Sequence, residues 1–181
     1  MQDHELIKRI RQGEQTLFGE LAGRYYNDIF RYCYFQTGDE QAAWDCTQET
    51  FFRLMRFLDA YTEKGRFKAY LLRIALNACR DWFRREDGRA VPYEDPDDAC
   101  DTAVFLQNPQ NMESQVENRL LLRDALSQLP EFQRETIVLY YYYGYKQREI
   151  AHITGIPLST VKTRLRAGTE RLQVLLRNLN S

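Results

Sequence analysis

Apolar residues recur at helical spacing through most of both ends of the chain, and no stretch shows the alternating pattern of a β-strand. The clearest run lies near the start, where five apolar side chains recur every fourth residue. This run predicts one long helix over residues 14–36, closed by Gly38. Its members are Leu17, Leu21, Tyr25, Ile29 and Cys33. The pattern as a whole predicts an all-α fold.

Two more helices complete the first half of the chain. Asp39 is a suitable N-cap for a helix over residues 39–58, because its carboxylate can accept from a free backbone amide. A polar loop is expected at 59–66, followed by a third helix over 67–85. Together these helices predict a small N-terminal domain, residues 1–88.

The helical pattern dissolves over residues 89–114, which are rich in Pro, Asp and Asn. Such a composition buries too little apolar surface to order itself, so a flexible acidic linker is predicted there. Helicity resumes near residue 115, breaks at Pro130 and continues over 132–143. A second small helical domain is therefore predicted at 115–181.

Charge is segregated along the chain although the net charge is only −1. Residues 90–118 hold seven acidic side chains and no Lys or Arg, whereas residues 119–181 hold ten basic and five acidic ones. Local potential, more than total charge, governs attraction to phosphate, so the acidic middle and the basic end are expected to meet different partners.

Several classes of function are not indicated. No apolar run is long enough to cross a bilayer and no secretory signal begins the sequence, so a cytoplasmic protein is expected. The four cysteines form no CxxC pair and only two histidines could join them, which favours reduced thiols over a metal site. No cofactor is expected, and nothing resembles a nucleophile or phosphate loop, so an enzyme is not expected.

Residues 146–176 carry a helix-turn-helix pattern. A short apolar-faced helix is followed by Gly155, which permits the positive backbone angle of a tight turn, and by a second helix starting at Ser159 or Thr160. An inward stripe, Val161, Leu165, Gly168, Leu172 and Leu176, leaves four polar side chains outward: Ser159, Lys162, Thr163 and Arg166. This face suits the major groove of DNA, although a helical hairpin with a solvated basic face is also compatible.

The N-terminal half presents two further polar faces opposite its apolar stripes. On the 39–58 helix the outward side chains are Asp45, Gln48, Glu49, Phe52 and Arg56, and an outward Phe among charges indicates a protein partner. On the 67–85 helix they are Tyr70, Arg73, Asn77, Arg80 and Arg84, a set that can stack on unpaired bases and neutralise phosphates. Each face, taken alone, is also compatible with ordinary solvated surface, which is the commoner case for a face such as that of the 39–58 helix.

Two motif sets in order resemble the extracytoplasmic-function sigma factors of the sigma-70 family. The first set, similar to their domain two, comprises residues 45–52 (DCTQETFF), 70–77 (YLLRIALN) and 84–85 (RR). The second, similar to their domain four, comprises residues 129–135 (LPEFQRE), 149–151 (EIA) and 160–165 (TVKTRL). The resemblance covers most of the chain.

The resemblance implies partners and a role for each face. Asp45, Gln48, Glu49 and Phe52 would bind RNA polymerase core. The 67–85 helix and the 59–66 loop would melt the minus-ten element, with the site formed by Tyr70, Arg73, Asn77, Arg80 and Arg84. The second domain would read the minus-thirty-five element of promoter DNA through Ser159, Thr160, Lys162, Thr163, Arg164 and Arg166. The acidic linker would thread the RNA channel of the polymerase, and an inhibitory anti-sigma factor is expected.

The chain departs from the family pattern at four positions. Trp44 stands where an acidic residue is usual and Tyr70 where Trp is usual. Ala167 and Thr169 stand where Arg is usual, which makes the recognition helix less basic. The competing interpretation, a helix-turn-helix regulator that acts without polymerase, accounts for the C-terminal half only.

Overall fold

The computed structural model describes residues 1–62, 65–88, 116–179 and 181, except for the side chains of 116–119. Every regular element in these ranges is helical, which confirms the predicted all-α class. The chain divides into two compact units, one built on the N-terminal helices and one on the C-terminal helices. None of the helices in the described ranges combines the length and apolar character needed to cross a bilayer. The predicted linker, residues 89–114, lies outside the described residues.

Four helices build the first unit. They are α1 (Asp3–Arg11), α2 (Phe18–Thr37), α3 (Glu40–Phe57) and α4 (Phe67–Glu86), with short 3-10 helices at Gln15–Leu17 and Leu58–Ala60. The last three residues of α2, 35–37, group with the second unit. The pattern did not predict α1, which is only nine residues long and buries just Leu6, Ile7 and Ile10. The helix expected over 14–36 begins instead as a 3-10 turn and becomes α-helical at Phe18.

The predicted inward stripes of α3 and α4 form the core of this unit. The five positions predicted for the first stripe are all buried: Ala43, Thr47, Phe51, Leu54 and Leu58. Four of the five predicted for the second are buried and Trp82 is half-buried; the buried ones are Phe67, Leu71, Ile74 and Ala78. The core accepts Thr47 because its hydroxyl donates to the carbonyl of Ala43 at 2.6 Å. The cap of α3 is also as predicted, since the Asp39 carboxylate accepts from the amide of Ala42 at 2.8 Å.

Three cysteines from three helices meet in this core. Cys33, Cys46 and Cys79 are buried free thiols on α2, α3 and α4. Hydrogen bonding with Cys33 and then Cys46, together with burial, raises the pKa of the Cys79 thiol. The Cys79 thiol therefore stays protonated and unreactive. Cys100 lies outside the described residues.

The second unit contains α5 (Val116–Ser127), α6 (Glu131–Ile137), α7 (Gln147–Thr154) and α8 (Leu158–Leu179). Pro130 separates α5 from α6, as predicted. The helix expected over 132–143 is not uniform, because Val138–Tyr142 widens into a π-helical turn in which the amide of Tyr143 donates to Val138 at 3.2 Å.

Buried Arg134 closes the end of α5. Its Nε donates to the carbonyl of Leu126 and its Nη2 to that of Leu129, both at 2.9 Å. Leu126 lies in the last turn of α5, where its carbonyl also accepts from the amide of Leu129 at 3.1 Å, and Leu129 lies just beyond the helix end. One guanidinium therefore binds both carbonyls and fixes the turn from α5 into α6.

Candidate functional site

The outward face of α3 is more apolar than the sequence indicated. Asp45 and Gln48 are exposed, and Phe52 is 50% exposed, on the side that the pattern predicted. Trp44, 42% exposed, and Met55, 51% exposed, extend the same side. We call Trp44, Gln48, Phe52 and Met55 the α3 stripe. Their spacing of three to four residues was the signal that could have identified Trp44 and Met55 as members.

Aromatic packing holds the first member of the α3 stripe. The ring of Trp44 lies 5.7 Å from that of Tyr26 in a tilted arrangement and 5.6 Å from that of Phe30 in an edge-on arrangement. Both partners belong to α2. The indole is therefore fixed in place on the surface, where a rigid aromatic group loses little entropy on binding.

Glu49 has a different environment from its exposed neighbours. It is half-buried, and its carboxylate accepts from the Nε of Arg53 at 2.7 Å. Arg53 is buried and reaches across to Asp81 on α4 at 2.8 Å, and Asp81 in turn pairs with Arg84 at 3.0 Å. Glu49 is thus the outer end of an ion-pair chain that joins the α3 face to the α4 face.

The polar face of α4 brings its five predicted side chains together on one side. Tyr70, Arg73, Asn77, Arg80 and Arg84 are all half-buried. The ring of Tyr70 lies 4.6 Å from that of Tyr61, which packs edge-on against Phe67 at 5.5 Å. This end of the face is therefore an aromatic cluster, and the far end is cationic. Such a combination suits unpaired nucleic acid, whose bases stack and whose phosphates need cations.

The helix-turn-helix has the predicted tight turn. Gly155 has φ 70°, in the left-handed region that glycine adopts without cost, and its amide donates to Ala151 at 3.0 Å. The N-terminus of α7 is closed by Glu149, whose carboxylate accepts from the amide of Lys146 at 2.6 Å. Gly168 of α8 lies so near Ile137 that a Cβ would come within 2.9 Å of Cγ1, which lets α6 and α8 approach closely.

The first turns of α8 present an exposed polar face. The helix begins at Leu158, one residue before the predicted start. Ser159, Lys162, Thr163 and Arg166 are all exposed, with the Arg166 side chain 85% exposed. The Thr163 hydroxyl donates to the carbonyl of Ser159 at 3.0 Å, so its oxygen lone pairs remain available for a second partner.

Four other residues of α8 that the sequence singled out are half-buried: Thr160, Arg164, Ala167 and Thr169. The guanidinium of Arg164 lies over the ring of Phe132, 5.0 Å from its centroid, and Thr160 is half-buried. Ala167 and Thr169 are also half-buried, and the Thr169 hydroxyl lies 3.2 Å from that of Tyr141. Positions where Arg was expected from the resemblance are therefore partly covered by their own domain.

Comparisons with known proteins agree with this arrangement. Residues 21–89 match sigma-70 region 2, and residues 119–172 match sigma-70 region 4. The ECF RNA polymerase sigma factor SigW of Bacillus subtilis (strain 168) is 29% identical over 96% of each chain. The ECF RNA polymerase sigma-E factor of Escherichia coli (strain K12) is 30% identical over 90% of this chain and 88% of its own.

Solved structures show the same fold. CnrH, in complex with the cytosolic domain of CnrY, aligns over 97% of both chains with a TM-score of 0.68 and 25% identity. RpoE of Bartonella quintana, in complex with the anti-sigma factor NepR, covers 88% of this chain and 96% of its own, with a TM-score of 0.67 and 21% identity.

Members of this family bind RNA polymerase core and promoter DNA, and they are initiation factors, not enzymes. The two matched regions stand in the order that the sequence predicted, and together they take in both candidate DNA faces and the α3 stripe. The protein therefore belongs to the extracytoplasmic-function sigma factors of the sigma-70 family.

Proposed function

We propose that this sigma factor divides promoter-specific initiation between two DNA-binding domains and one polymerase-docking helix. Residues 1–88 would form domain two, residues 115–181 domain four, and residues 89–114 the acidic linker. A regulator acting without polymerase would leave residues 1–88 without a role. Because its partner is the transcription machinery, we place the protein in the cytoplasm.

The α3 stripe is the observation that carries the docking role. Phe52 and Met55 are about half exposed and Trp44 is nearly so, and all three flank Gln48. Exposed aromatic and Met side chains on one helix face are typical of a protein interface, in which aromatic residues and Met are enriched and Trp is often among the few residues that supply most of the binding energy. Asp45 lies beside them and would contribute charge steering. Glu49 would act partly through Arg53, with which it is already paired.

The α4 face is proposed to hold the melted minus-ten strand. The Tyr61 and Tyr70 rings offer a stacking platform, and Arg73, Arg80 and Arg84 would neutralise phosphates along the strand. The amide of Asn77 lies between these groups in sequence and can donate to and accept from a base edge. Of the 59–66 loop, Glu63 and Lys64 lie outside the described residues.

The N-terminal turns of α8 are proposed to enter the major groove at the minus-thirty-five element. Lys162 and Arg166 would contact base edges or phosphates, and Ser159, Thr160 and Thr163 would contribute hydroxyls. Arg164 would reach the backbone from its position over Phe132, where stacking restricts its side chain before DNA binds. The basic face is thus confined to the start of the helix.

We further propose an anti-sigma factor as an inhibitory partner. RpoE of Bartonella quintana was solved with one, and CnrH with the cytosolic domain of CnrY. An inhibitor that covers the α3 stripe would compete with polymerase for the same apolar side chains. Competition between core polymerase and a candidate inhibitor for the full-length protein would test this role.

The docking proposal is tested by charge reversal and truncation on α3. Asp45→Lys and Phe52→Ala should each weaken binding of core polymerase about tenfold, because the first reverses a steering charge and the second removes an aromatic contact from the α3 stripe. The matched control is Glu86→Lys, which makes the same charge change at the exposed end of α4. Undiminished binding by folded Asp45→Lys and Phe52→Ala proteins would overturn the assignment of this face.

A further inference from the structure

Helix α1, which the sequence pattern did not predict, reaches the aromatic end of the α4 face through one side chain. The Arg11 guanidinium donates to the carbonyl of Leu58 from Nε at 3.1 Å and from Nη2 at 2.6 Å. The same Nη2 also donates to the carbonyl of Tyr61. Both carbonyls lie in the segment that leads out of α3, some fifty positions away in sequence.

The helix that supplies Arg11 is itself fixed to the core. Leu6, Ile7 and Ile10 are at most 4% exposed. At the start of α1, the carboxylate of Asp3 pairs with Arg24 at 2.9 Å and accepts from the Tyr25 hydroxyl. The guanidinium therefore projects from a rigid element, and its planar fork holds the two carbonyls at a set separation.

The residue that Arg11 holds supports a proposed DNA-binding ring. Tyr61 is buried, and its ring lies 4.6 Å from that of Tyr70 and 5.5 Å from that of Phe67. A displacement of the Tyr61 backbone would move its ring and remove the support beneath Tyr70. The contacts thus run from Arg11 to the Tyr61 backbone, and from the Tyr61 ring to the Tyr70 ring.

We propose that Arg11 is a positioning residue for promoter opening: it holds Tyr61 so that the ring of Tyr70 is presented to bases that have left the duplex. This inference rests on the proposed minus-ten role of the α4 face. Arg11 itself touches no DNA in this scheme. Preorganisation of this kind lowers the cost of ordering a stacking platform when the strand binds.

The test compares Arg11→Met with Arg9→Met in the full-length protein bound to core polymerase. Arg9 lies on the same helix, and its side chain is 43% exposed in a surface pair with Glu14, so the control makes the same change where no Tyr61 contact exists. Promoter opening is measured by permanganate reactivity at equal occupancy, on a promoter identified from transcripts that appear on overexpression. Each variant is also combined with Tyr70→Ala.

We expect Arg11→Met to lower the opened fraction about tenfold without changing core affinity, and Arg9→Met to leave it unchanged. We expect Arg11→Met to add no further loss to Tyr70→Ala, because both changes disable the same ring. General destabilisation would lower opening in both backgrounds, so the lack of additivity separates positioning from a merely structural role.

The outcomes distinguish this inference from the function on which it rests. If Tyr70→Ala opens the promoter as well as the parent protein, the minus-ten role of the α4 face is wrong, and the inference falls with it. If Tyr70→Ala is impaired while Arg11→Met is not, or if their losses add, only the positioning role is wrong. If Arg11→Met loses its helical circular dichroism, Arg11→Lys is tested instead. It keeps the charge, but its ammonium lacks the planar guanidinium that binds both carbonyls.

Discussion

The Nη2 of Arg53 lies 2.8 Å from a carboxylate oxygen of Asp81, and both side chains are nearly buried, at 7% and 12% exposure. This pair joins α3, which carries the proposed polymerase face, to α4, which carries the proposed minus-ten face. Because Glu49 and Arg84 extend it at either end, one chain of charges connects the two surfaces. Its members hold the two helices, and therefore the two faces, in a fixed relation.

We expect Asp81→Ala to lower the free energy of unfolding of the first unit by about 3 kcal/mol, because it leaves the buried Arg53 guanidinium with Glu49, the more exposed of its two carboxylate partners. Replacing both residues, with Arg53→Met and Asp81→Ala in one protein, should cost much less than Arg53→Met and Asp81→Ala cost separately when their losses are summed. Urea unfolding followed by tryptophan fluorescence measures this, since both tryptophans, Trp44 and Trp82, lie in this unit.

The control for the buried pair is the exposed pair of Arg24 and Glu20 on α2. Glu20→Ala should cost less than about 1 kcal/mol, as is usual for surface ion pairs. If the losses at Arg53 and Asp81 are simply additive, the pair does not stabilise the junction of α3 and α4 in the way its geometry indicates.

Periodicity predicted the elements whose faces differ clearly in polarity. The inward stripes of α3 and α4 and the turn at Gly155 follow from local sequence alone. Helix α1 was missed because nine residues with three buried apolar positions give too short a pattern. The π-helical turn at Val138–Tyr142 was missed because a tyrosine-rich run carries no signal that distinguishes it from an α-helix.

The contacts of a side chain depend on residues distant in sequence, which periodicity does not identify. Glu49 and Asp45 have the same charge and nearly the same helical direction, yet only Glu49 pairs with a buried arginine. Arg164 and Arg166 are two residues apart, and only Arg164 lies over Phe132. A helical wheel gives the direction of a side chain but not the group that meets it.

Asn77→Ala should reduce promoter opening about tenfold while leaving core binding unchanged. The expected loss is that of one hydrogen-bonded base contact, which is worth about 1–3 kcal/mol. Permanganate reactivity at fixed occupancy measures opening, and a pull-down of core polymerase measures binding. Asn27→Ala, an exposed change on α2, is the matched control and should affect neither. An opened fraction equal to that of the parent protein would exclude Asn77 from the minus-ten site.

Lys162→Gln and Arg166→Gln should each reduce the slope of log affinity against log salt concentration by about one, because each variant releases about one counterion fewer on binding DNA. Both side chains are exposed on the first turns of α8, so each can neutralise a phosphate or contact a base edge. The measurement is the slope of log affinity against log salt on a minus-thirty-five duplex. Arg171→Gln is the control: Arg171 is exposed nine residues after Lys162, half a turn away around the same helix. If Arg171→Gln changed the slope equally, the positive charges of α8 would attract DNA wherever they lie around the helix, and the proposed groove-binding face would be wrong.

Two glycines inside helices should respond to alanine with opposite signs. In Gly23→Ala the new Cβ meets nothing within 4 Å, so the change should stabilise the first unit by about 0.5–1 kcal/mol through helix propensity. In Gly168→Ala the new Cβ would lie 2.9 Å from Cγ1 of Ile137, so overpacking between α6 and α8 should destabilise the second unit by about 1–3 kcal/mol despite the better propensity.

Tryptophan fluorescence measures the first change, and amide hydrogen exchange in α6 and α8 measures the second, because both tryptophans lie in the first unit. Ile137→Ala shortens the side chain that the new methyl meets, so Gly168→Ala combined with Ile137→Ala should lose less stability than the two single changes together. Stabilisation by Gly168→Ala comparable to that by Gly23→Ala would show that α6 and α8 can separate freely. In that case Gly168 would not set the distance between α8, the proposed recognition helix, and α6, against which it packs.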